Sequence, residues 1–410
     1  MAGNSLLTIN MITREAVRLW RNTNTFIQHI DMQYDDSFAR TGAKIGTALR
    51  IRYPNDFTLR TGATASVQDT NETNTTLVLA TQQGVDVSYS SVDRTMSLDD
   101  FSRRVLAPMV NTVCGGVAVN VMSGAEGGIS NYVANVSGGA TISPTSQTWL
   151  QAGAKLDLMS TPRSLTRKII MHPQTQANTV SSLTGLFNPA GKLAEQYRSG
   201  QMASDTLGFD WFMDQTVIAH TAGSFAAVGG AVNGAGQTGT TITVTAATGT
   251  LAQGDVVTFD ALYGVNRITK QSTGQLAQFV VTASTVTGFT SVSIYPAIVP
   301  GNGTQQVQYQ TVVASPANNT QMRLVNVPGE ITLKNFAFAP DAVTMATADL
   351  ELPRGVHEAD RQAYDGISLR MISDYDVKSD QFITRLDVLY GFLWVRPEWS
   401  CVVSDTIVVS

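Results

Sequence analysis

The chain has 410 residues, of which 43% are hydrophobic and only 14% are charged, and its net charge is -5. The hydrophobic content indicates a globular protein, and the negative charge argues against a protein that coats nucleic acid by neutralising phosphates. The charged fraction lies well below the roughly 25% of ordinary soluble proteins, which suggests that much of the surface faces other subunits instead of water.

Cysteine content and hydropathy exclude several further classes. Cys114 and Cys401 are too few for a disulfide framework and fit a reducing cytosol. Residues 1–20 show no basic stretch followed by an apolar run, so we expect no signal peptide. No apolar run approaches the ~18 residues of a transmembrane helix, so we expect no membrane partner.

The first predicted element is a helix over residues 8–30. A short amphipathic helix near a terminus often packs on a neighbouring element of its own chain or of another chain, so both a core helix and a contact helix stay open. The apolar residues that we expect on its shared face are Met11, Ile12, Ala16, Leu19 and Trp20.

Residues 46–90 predict a projecting β-hairpin. Apolar and basic residues alternate over 47–53, which is the period of a strand, and residues 75–80 and 85–89 are also strand-like. The intervening residues 55–74 are polar and show no apolar periodicity. A hairpin with so little apolar surface to bury needs a partner surface to be stable.

Residues 97–123 predict the longest helix. Ser97 is suited to cap its start, and two aspartates follow in the first turn. Pro108 removes one backbone donor and should bend the helix, and Cys114 is most simply a small apolar residue within it. The apolar residues that repeat every four positions are Phe101, Val105, Met109, Val113, Val117 and Val121.

Residues 144–200 alternate between helix and strand signals, which predicts a compact α/β region. The expected helices span residues 145–158, 175–187 and 190–197, and the expected strand spans residues 168–171.

Charge almost disappears between residues 215 and 322, where Asp255, Asp260, Arg267 and Lys270 are the only Asp, Glu, Lys or Arg residues. Several short Thr- and Val-rich strands with regular turns predict a small β-barrel inserted into the α/β region. The five expected strands are residues 240–245, 256–259, 278–282, 291–295 and 306–313. Ordinary composition returns at Arg323, and the expected strands there are residues 332–339, 366–374 and 382–395.

The motifs that carry chemistry are incomplete. Residues 234–239 match the dinucleotide-binding fingerprint by letter, but a strand is predicted after them instead of a helix. Residues 185–192 miss the spacing of a phosphate loop, and Leu193 stands where Ser or Thr is required. The histidines, at positions 29, 172, 220 and 357, are far apart in the sequence. We therefore predict no catalytic residue, no cofactor and no metal site, and the chain is not expected to be an enzyme.

Several segments resemble a known family. Residues 248–259 are similar to a strand–turn–strand of the β domain inserted in the coat proteins of certain short-tailed phages, and residues 264–266 and 269–282 continue that pattern. Residues 387–398 resemble the closing strand of the same family. The chain thus resembles the major capsid proteins of tailed bacteriophages, which have the Hong Kong phage-type coat fold that encapsulins share.

The resemblance implies an α+β fold with a small inserted β-barrel domain. Residues 1–45 would form an N-terminal arm and residues 46–96 an extended β-hairpin loop. Residues 97–214 would form the peripheral domain, with its spine helix, and an axial α/β domain. Residues 215–322 would be the inserted domain, and residues 323–410 would return to the axial and peripheral domains.

The implied function is a subunit that self-assembles into pentamers and hexamers of an icosahedral head around double-stranded DNA, without sequence-specific contact to that DNA. A separate scaffolding protein and a portal are also implied, with assembly in the host cytoplasm and a final location in the virion. Some relatives cross-link their shells through a lysine in the extended loop, which we do not expect here because no lysine lies between Lys44 and Lys155.

We expect the 46–90 hairpin to lie over the spine helix of the adjacent subunit, because a closed shell needs heterologous contacts. The candidate subunit contacts are Arg50, Arg52, Arg60, Asp69 and Glu72. Two alternatives stay open. An encapsulin-like compartment shares the core but normally lacks the insertion. A tail-fibre or carbohydrate-binding β protein fits the 215–322 region but not the long helix.

Overall fold

The computed structural model describes residues 9–23, 25–32, 48–53, 55–65, 67, 74–90, 105–182, 199–200, 202, 205–301, 307–364 and 367–407. The chain divides into two compact units. The first unit comprises Met1–Ile51, Asn74–Val121 and Val343–Val395, and the second comprises Arg52–Thr73, Met122–Ala342 and Arg396–Ser410.

The α-helices within the described ranges are α1 (Ile9–Thr23), α2 (Ala107–Ser123), α3 (Ser146–Leu158) and α4 (Pro173–Ser182). The strands are β1 (Asp31–Met32), β2 (Ala48–Arg52), β3 (Asn74–Val78), β4 (Thr81–Ser90), β5 (Tyr132–Ser137), β6 (Ala140–Ile142), β7 (Lys168–Met171), β8 (Asp210–Met213), β9 (Ala219–Thr221), β10 (Gly239–Thr243), β11 (Val256–Phe259), β12 (Tyr263–Val265), β13 (Ser272–Leu276), β14 (Phe279–Val281), β15 (Ser291–Ile298), β16 (Met322–Leu324), β17 (Ile331–Phe338), β18 (Thr344–Ala348), β19 (Glu358–Tyr364), β20 (Ile367–Asp376), β21 (Gln381–Leu393) and β22 (Ser400–Thr406).

A six-stranded sheet forms the centre of the first unit. Its order is β1-β18-β21-β20-β19, and β4 also pairs with β21. The pairing of β4 with β21 runs antiparallel over ten residues, from Gln381 opposite Ser90 to Tyr390 opposite Thr81. The predicted strand at 85–89 therefore belongs to this sheet, and the two-stranded hairpin consists of β2 and β3.

Helix α1 packs on β19 and β20 of the same sheet. Its buried face runs through Thr13, Ala16, Val17 and Trp20, whereas Leu19 is only half-buried. The face is thus rotated slightly from the predicted one, because the helix buries two adjacent positions, 16 and 17, against the sheet.

Helix α2 packs within the first unit through its apolar side. The predicted four-residue repeat is confirmed from Met109 to Val121, where every member is buried. The indole Nε1 of Trp394 donates to the carbonyl of Val121 over 3.1 Å and joins the helix to the end of β21. Residues 97–104 lie outside the described residues. Pro108 is the second residue of α2, in the first turn, where proline is tolerated.

A seven-stranded sheet and α3 form one layer pair of the second unit. The sheet order is β6-β5-β22-β17-β7-β8, with β9 also paired to β17. The start of α3 is a capping box between Thr145 and Thr148, which stabilises the first helical turn. From this helix Trp149, Ala152 and Leu156 enter the core over the sheet.

The charge-poor region has its own sheet and its own core. Five strands follow the order β10-β15-β14-β11-β16, and β12 and β13 form a separate hairpin. Phenylalanines at 225, 259, 279 and 289 fill the interior in two edge-to-face pairs. The predicted strand at 306–313 is wrong over its described part: a short 3-10 helix spans Val307–Tyr309, and the fifth strand of the sheet is β16.

Candidate subunit-contact site

Strand β2 presents two of the predicted contact residues. Arg50 and Arg52 are exposed on one face of the strand, whereas Leu49 and Ile51 are partly buried on the other. The two apolar side chains pack against a small cluster that includes Leu77 of β3. The alternation seen in the sequence thus fixes which side chains β2 leaves exposed.

The β2–β3 loop (residues 53–73) carries the third predicted contact residue, Arg60, which is exposed. Its Nη1 donates to the carbonyl oxygens of Gly62 and of Thr64, the latter over 3.0 Å. Arg60 therefore shapes the turn of the loop as well as presenting charge. Asp69 and Glu72, the remaining predicted contacts, lie outside the described residues.

The same loop exposes apolar side chains that sequence reasoning did not select. Leu59 is 97% exposed, Val67 is 91% exposed and Phe57 is 58% exposed. Single exposed apolar residues need no explanation, but three on one loop are side chains of the type that subunit interfaces bury. Their signal in the sequence was weak, since they are isolated within a polar stretch.

Helix α2 presents an exposed face without charged residues. Its sequence contains no Asp, Glu, Lys or Arg, and its exposed positions recur at helical spacing. These positions are Pro108, Asn111, Thr112, Gly116, Val119 and Ser123. A helix face directed at water normally carries charge, so this face is suited to contact with protein.

The second unit contains a buried polar network. The Nε2 of His220 lies 2.9 Å from Oδ1 of Asp255, and its Nδ1 lies 3.3 Å from Oε1 of Glu126. The Nζ of Lys334 lies 3.6 Å from the same Glu126 oxygen and donates to the carbonyl of Gly254 over 3.1 Å. Both ring nitrogens of the buried His220 therefore have hydrogen-bond partners.

The protonation of this network follows from its geometry. Both ring nitrogens of His220 face carboxylates, and only the imidazolium form has an N–H on each nitrogen. Burial opposes that charge, but the hydrogen bonds to Asp255 and Glu126 outweigh burial and raise the pKa of His220 above its ordinary value. Burial lowers the pKa of Lys334 to about 8, although Glu126 favours its charged form.

The network does not resemble a catalytic or metal site. His220 and Asp255 are almost completely buried, so no substrate could reach them. Within the part of the chain that the structure describes, no three His, Cys, Asp or Glu side chains are grouped to hold a metal ion, and no helix there is long and apolar enough to span a membrane. Cys114 and Cys401 are both free and buried.

The sequence matches one protein family over most of its length, the P22 coat protein (gene protein 5), across residues 72–402. No curated protein sequence matches the chain. Among solved structures, one from Mycobacterium phage Che8 shares 10% identity over 93% of this chain and 90% of that chain, with a TM-score of 0.46. The capsid structure of the Cyanophage P-SCSP1u shares 11% identity over 93% and 88%, with a TM-score of 0.48.

A further similarity is confined to a quarter of the sequence. The CUS-3 coat protein I-domain shares 28% identity over 25% of this chain and 97% of that chain, with a TM-score of 0.21. The family match covers far more of the sequence and favours neither the encapsulin nor the tail-fibre alternative. It implies a structural role in the virion capsid and accords with the predicted α+β coat fold. The chain belongs to the P22 coat protein family and is a major capsid subunit of a tailed phage.

Proposed function

We propose that this subunit assembles in the host cytoplasm into pentamers and hexamers of an icosahedral head, with a separate scaffolding protein and a portal, and that the head encloses double-stranded DNA. The net charge of -5 supports packaging without sequence-specific contact, because specific or coating proteins carry a basic surface. The domain boundaries that we propose remain residues 1–45, 46–96, 97–214, 215–322 and 323–410. The charge-poor region has a separate sheet and core, which supports residues 215–322 as a domain.

The contact that we propose between subunits joins the β2–β3 loop of one copy to α2 of the next. One observation carries this proposal: the loop exposes Phe57, Leu59 and Val67, and the exposed face of α2 has no charged residue. Covering apolar side chains with an uncharged face removes apolar area from water without stranding a charge. The predicted residues Arg50, Arg52 and Arg60, with Asp69 and Glu72, would form a polar rim around this contact.

Cysteine cross-linking tests this contact directly. In the double variant Leu59→Cys and Val119→Cys, both new thiols are exposed, whereas the native Cys114 and Cys401 are buried. In assembled particles, a short bismaleimide should link neighbouring chains into a ladder of dimers, trimers and higher species on a denaturing gel. Each single variant serves as a control and should stay monomeric on the gel.

Two results would contradict the proposal. The first is the formation of uniform closed particles by the double variant without any cross-link between chains. The same absence of cross-links must also be found when the second cysteine is placed at Asn111 or at Thr112, on the same exposed face of α2, instead of at Val119. The second concerns the loop itself: deletion of residues 55–74 should leave a folded monomer that cannot close shells, so intact shells from that deletion would overturn the role of the loop.

A further inference from the structure

The charge-poor region contains four Asp, Lys and Arg residues, and each has a defined partner. Asp255 binds His220, Asp260 binds Arg323, and the ammonium of Lys270 donates to the carbonyl of Gln308. Arg267 differs from these because both of its partners lie far from it in the sequence, on opposite sides of the region. Charged residues are rare in this region, and Arg267 alone among the four contacts two distant segments of the chain. This combination indicates a specific role for the Arg267 side chain.

Arg267 joins the β12–β13 hairpin to the start of the β2–β3 loop and to the segment before β22. Its Nε donates to Oδ2 of Asp56 over 2.7 Å, and its Nη1 donates to Oε1 of Glu398 over 2.7 Å. All three side chains are mostly shielded from water, with exposed fractions of 33%, 22% and 24%. Charge-assisted bonds at such partly buried positions are stronger than those of fully exposed ion pairs.

The turn that carries Arg267 is itself held rigidly. The side-chain oxygen of Asn266 accepts hydrogen bonds from the backbone N–H groups of Ile268 and Thr269, each over 3.0 Å. The N–H of Lys270 donates to the carbonyl of Asn266 over 2.8 Å, and Lys270 adopts a left-handed backbone conformation with φ of 56°. The guanidinium of Arg267 is therefore presented from a fixed backbone, which reduces the entropy lost on binding its partners.

A second arginine extends the contact on the far side of Glu398. The guanidinium of Arg396 lies 3.5 Å from the same Glu398 oxygen, 4.7 Å from the ring centroid of Trp399 and 5.7 Å from that of Tyr53. Asp56, Arg267, Glu398 and Arg396 thus alternate in sign, and each of these four charges faces at least one opposite charge. Tyr53 and Asp56 are both held, which fixes the loop at two points three residues apart.

We propose that Arg267 is a positioning residue for assembly, which fixes the direction in which the β2–β3 loop leaves its own subunit. This proposal rests on the proposed function, in which that loop reaches the next copy. The inserted region would then act on the shell through a contact inside one subunit, and loss of the contact would change the angle between neighbours. Shell diameter, rather than subunit folding, would be the property that depends on it.

The first experiment uses the unassembled full-length subunit. Trypsin cleavage after Arg60, followed by mass spectrometry, reports how often the loop opens, because cleavage of a held loop requires local unfolding. Arg267→Gln should raise the initial rate of this cleavage roughly tenfold, and Arg267→Lys should give a smaller increase, since an ammonium can still reach one carboxylate. The matched control is Arg323→Gln, which removes an exposed ion pair with Asp260 from the same region and should leave the rate unchanged.

The second experiment measures particle diameters by electron microscopy after assembly. Arg267→Gln should broaden the distribution of diameters or give open, spiral shells, whereas Arg323→Gln should give the wild-type distribution. Asp56→Asn removes the partner outside the inserted region and should reproduce the effect, which guards against a folding defect of Arg267→Gln.

The outcomes separate this inference from the proposed function. An unchanged cleavage rate in both Arg267→Gln and Asp56→Asn would overturn the contact itself, whatever the particles look like. A raised rate with wild-type diameters would overturn its role in assembly. A wild-type protein that forms no closed shells would overturn the proposed function, and with it the assembly role of Arg267, while the cleavage rates would still decide whether the contact exists.

Discussion

The imidazole of His220 and the carboxylate of Asp255 form a buried pair, with 2.9 Å between Nε2 and Oδ1. His220 lies on β9, next to β17, whereas Asp255 precedes β11 of the charge-poor region. The other oxygen of Asp255 accepts the N–H groups of Gly223 and Ala252 over 2.9 Å and 2.7 Å. The pair therefore joins the seven-stranded sheet to the five-stranded sheet at a position that excludes water, so its protonation state affects how firmly they are joined.

The first prediction concerns pH. Since the folded protein raises the pKa of His220, its stabilising contribution is complete below the unfolded pKa of about 6.5 and is lost as the pH rises through the folded pKa. Lys334 has the opposite effect at higher pH. Its pKa in the folded protein is about 8, below the unfolded value of about 10.4, so the free energy of unfolding rises with pH between these two values. The free energy of unfolding should therefore fall as the pH rises from about 6.5 towards 8, where the opposite contribution of Lys334 begins.

Urea unfolding of the full chain at pH 6 and at pH 7.5 measures this difference. In His220→Gln the free energy of unfolding should be lower at pH 6 and should no longer fall between the two pH values. His357→Gln is a suitable control because His357 is largely exposed. An equal change of stability between the two pH values in the wild-type protein and in His220→Gln would contradict a raised pKa for His220.

The second prediction concerns Gln278, whose side-chain amide forms two hydrogen bonds with the backbone at the start of β5. Its Oε1 accepts the N–H of Tyr132 over 3.0 Å, and its Nε2 donates to the carbonyl of the same residue over 3.1 Å. The ammonium of Lys155 also donates to Oε1. Gln278→Ala should lower the free energy of unfolding by about 2–3 kcal/mol, because it leaves buried polar groups unsatisfied.

The neighbouring Gln275 provides the control, since it is exposed on the same hairpin region. Gln275→Ala should change the free energy of unfolding by less than about 0.5 kcal/mol. Equal effects of the two substitutions would show that the Gln278 bonds contribute nothing specific.

The elements that sequence predicted best are those with local signals. Strand β7 was predicted with its observed bounds, and α3 was predicted over residues 145–158, one residue longer than its observed range Ser146–Leu158. Strand β22 was missed, although it lies in the middle of the seven-stranded sheet. Its buried residues include Ser400, Ser404 and Asp405, and these polar side chains interrupt the hydrophobic pattern on which the prediction depended.

Contacts between distant residues could not be predicted from local patterns. The alternation in β2 correctly indicated that Arg50 and Arg52 are exposed, because a strand's period is set by its own backbone. In contrast, Arg267 lies 211 residues from Asp56 and 131 from Glu398. Only the folded chain brings them together, so the rarity of charge near Arg267 was the sole sign of its importance.

The third prediction compares two adjacent residues of α3. Trp149 is fully buried, packs edge-to-face on Trp211 at 5.1 Å and donates from Nε1 to Thr179 over 3.3 Å, whereas Leu150 is 52% exposed. Trp149→Ala should lower the free energy of unfolding by about 3–5 kcal/mol, because it opens a cavity between the helix and the sheet. Leu150→Ala should cost less than about 0.5 kcal/mol in the same urea titration, and a comparable loss from both would contradict the orientation of α3.

The last prediction compares two glycines of the first unit. A Cβ at Gly391, in β21, would overlap the carbonyl oxygen of Val78 in β3, which is backbone and cannot turn aside. A Cβ at Gly116, in α2, would meet only the end of the Gln83 side chain, at 3.4 Å. Gly391→Ala should therefore lower the free energy of unfolding by about 1–3 kcal/mol or more, since β3 must move. Gly116→Ala should raise it by up to about 1 kcal/mol, because alanine favours the helix.

Chemical unfolding followed by tryptophan fluorescence suits this comparison, because Trp20 and Trp394 lie in the first unit. The signs of the two effects matter more than their sizes. A destabilising Gly116→Ala would mean that Gln83 cannot yield at the surface of α2. A neutral Gly391→Ala would mean that β3 lies further from β21 than the structure shows, and the β2–β3 loop would then begin from a less constrained strand.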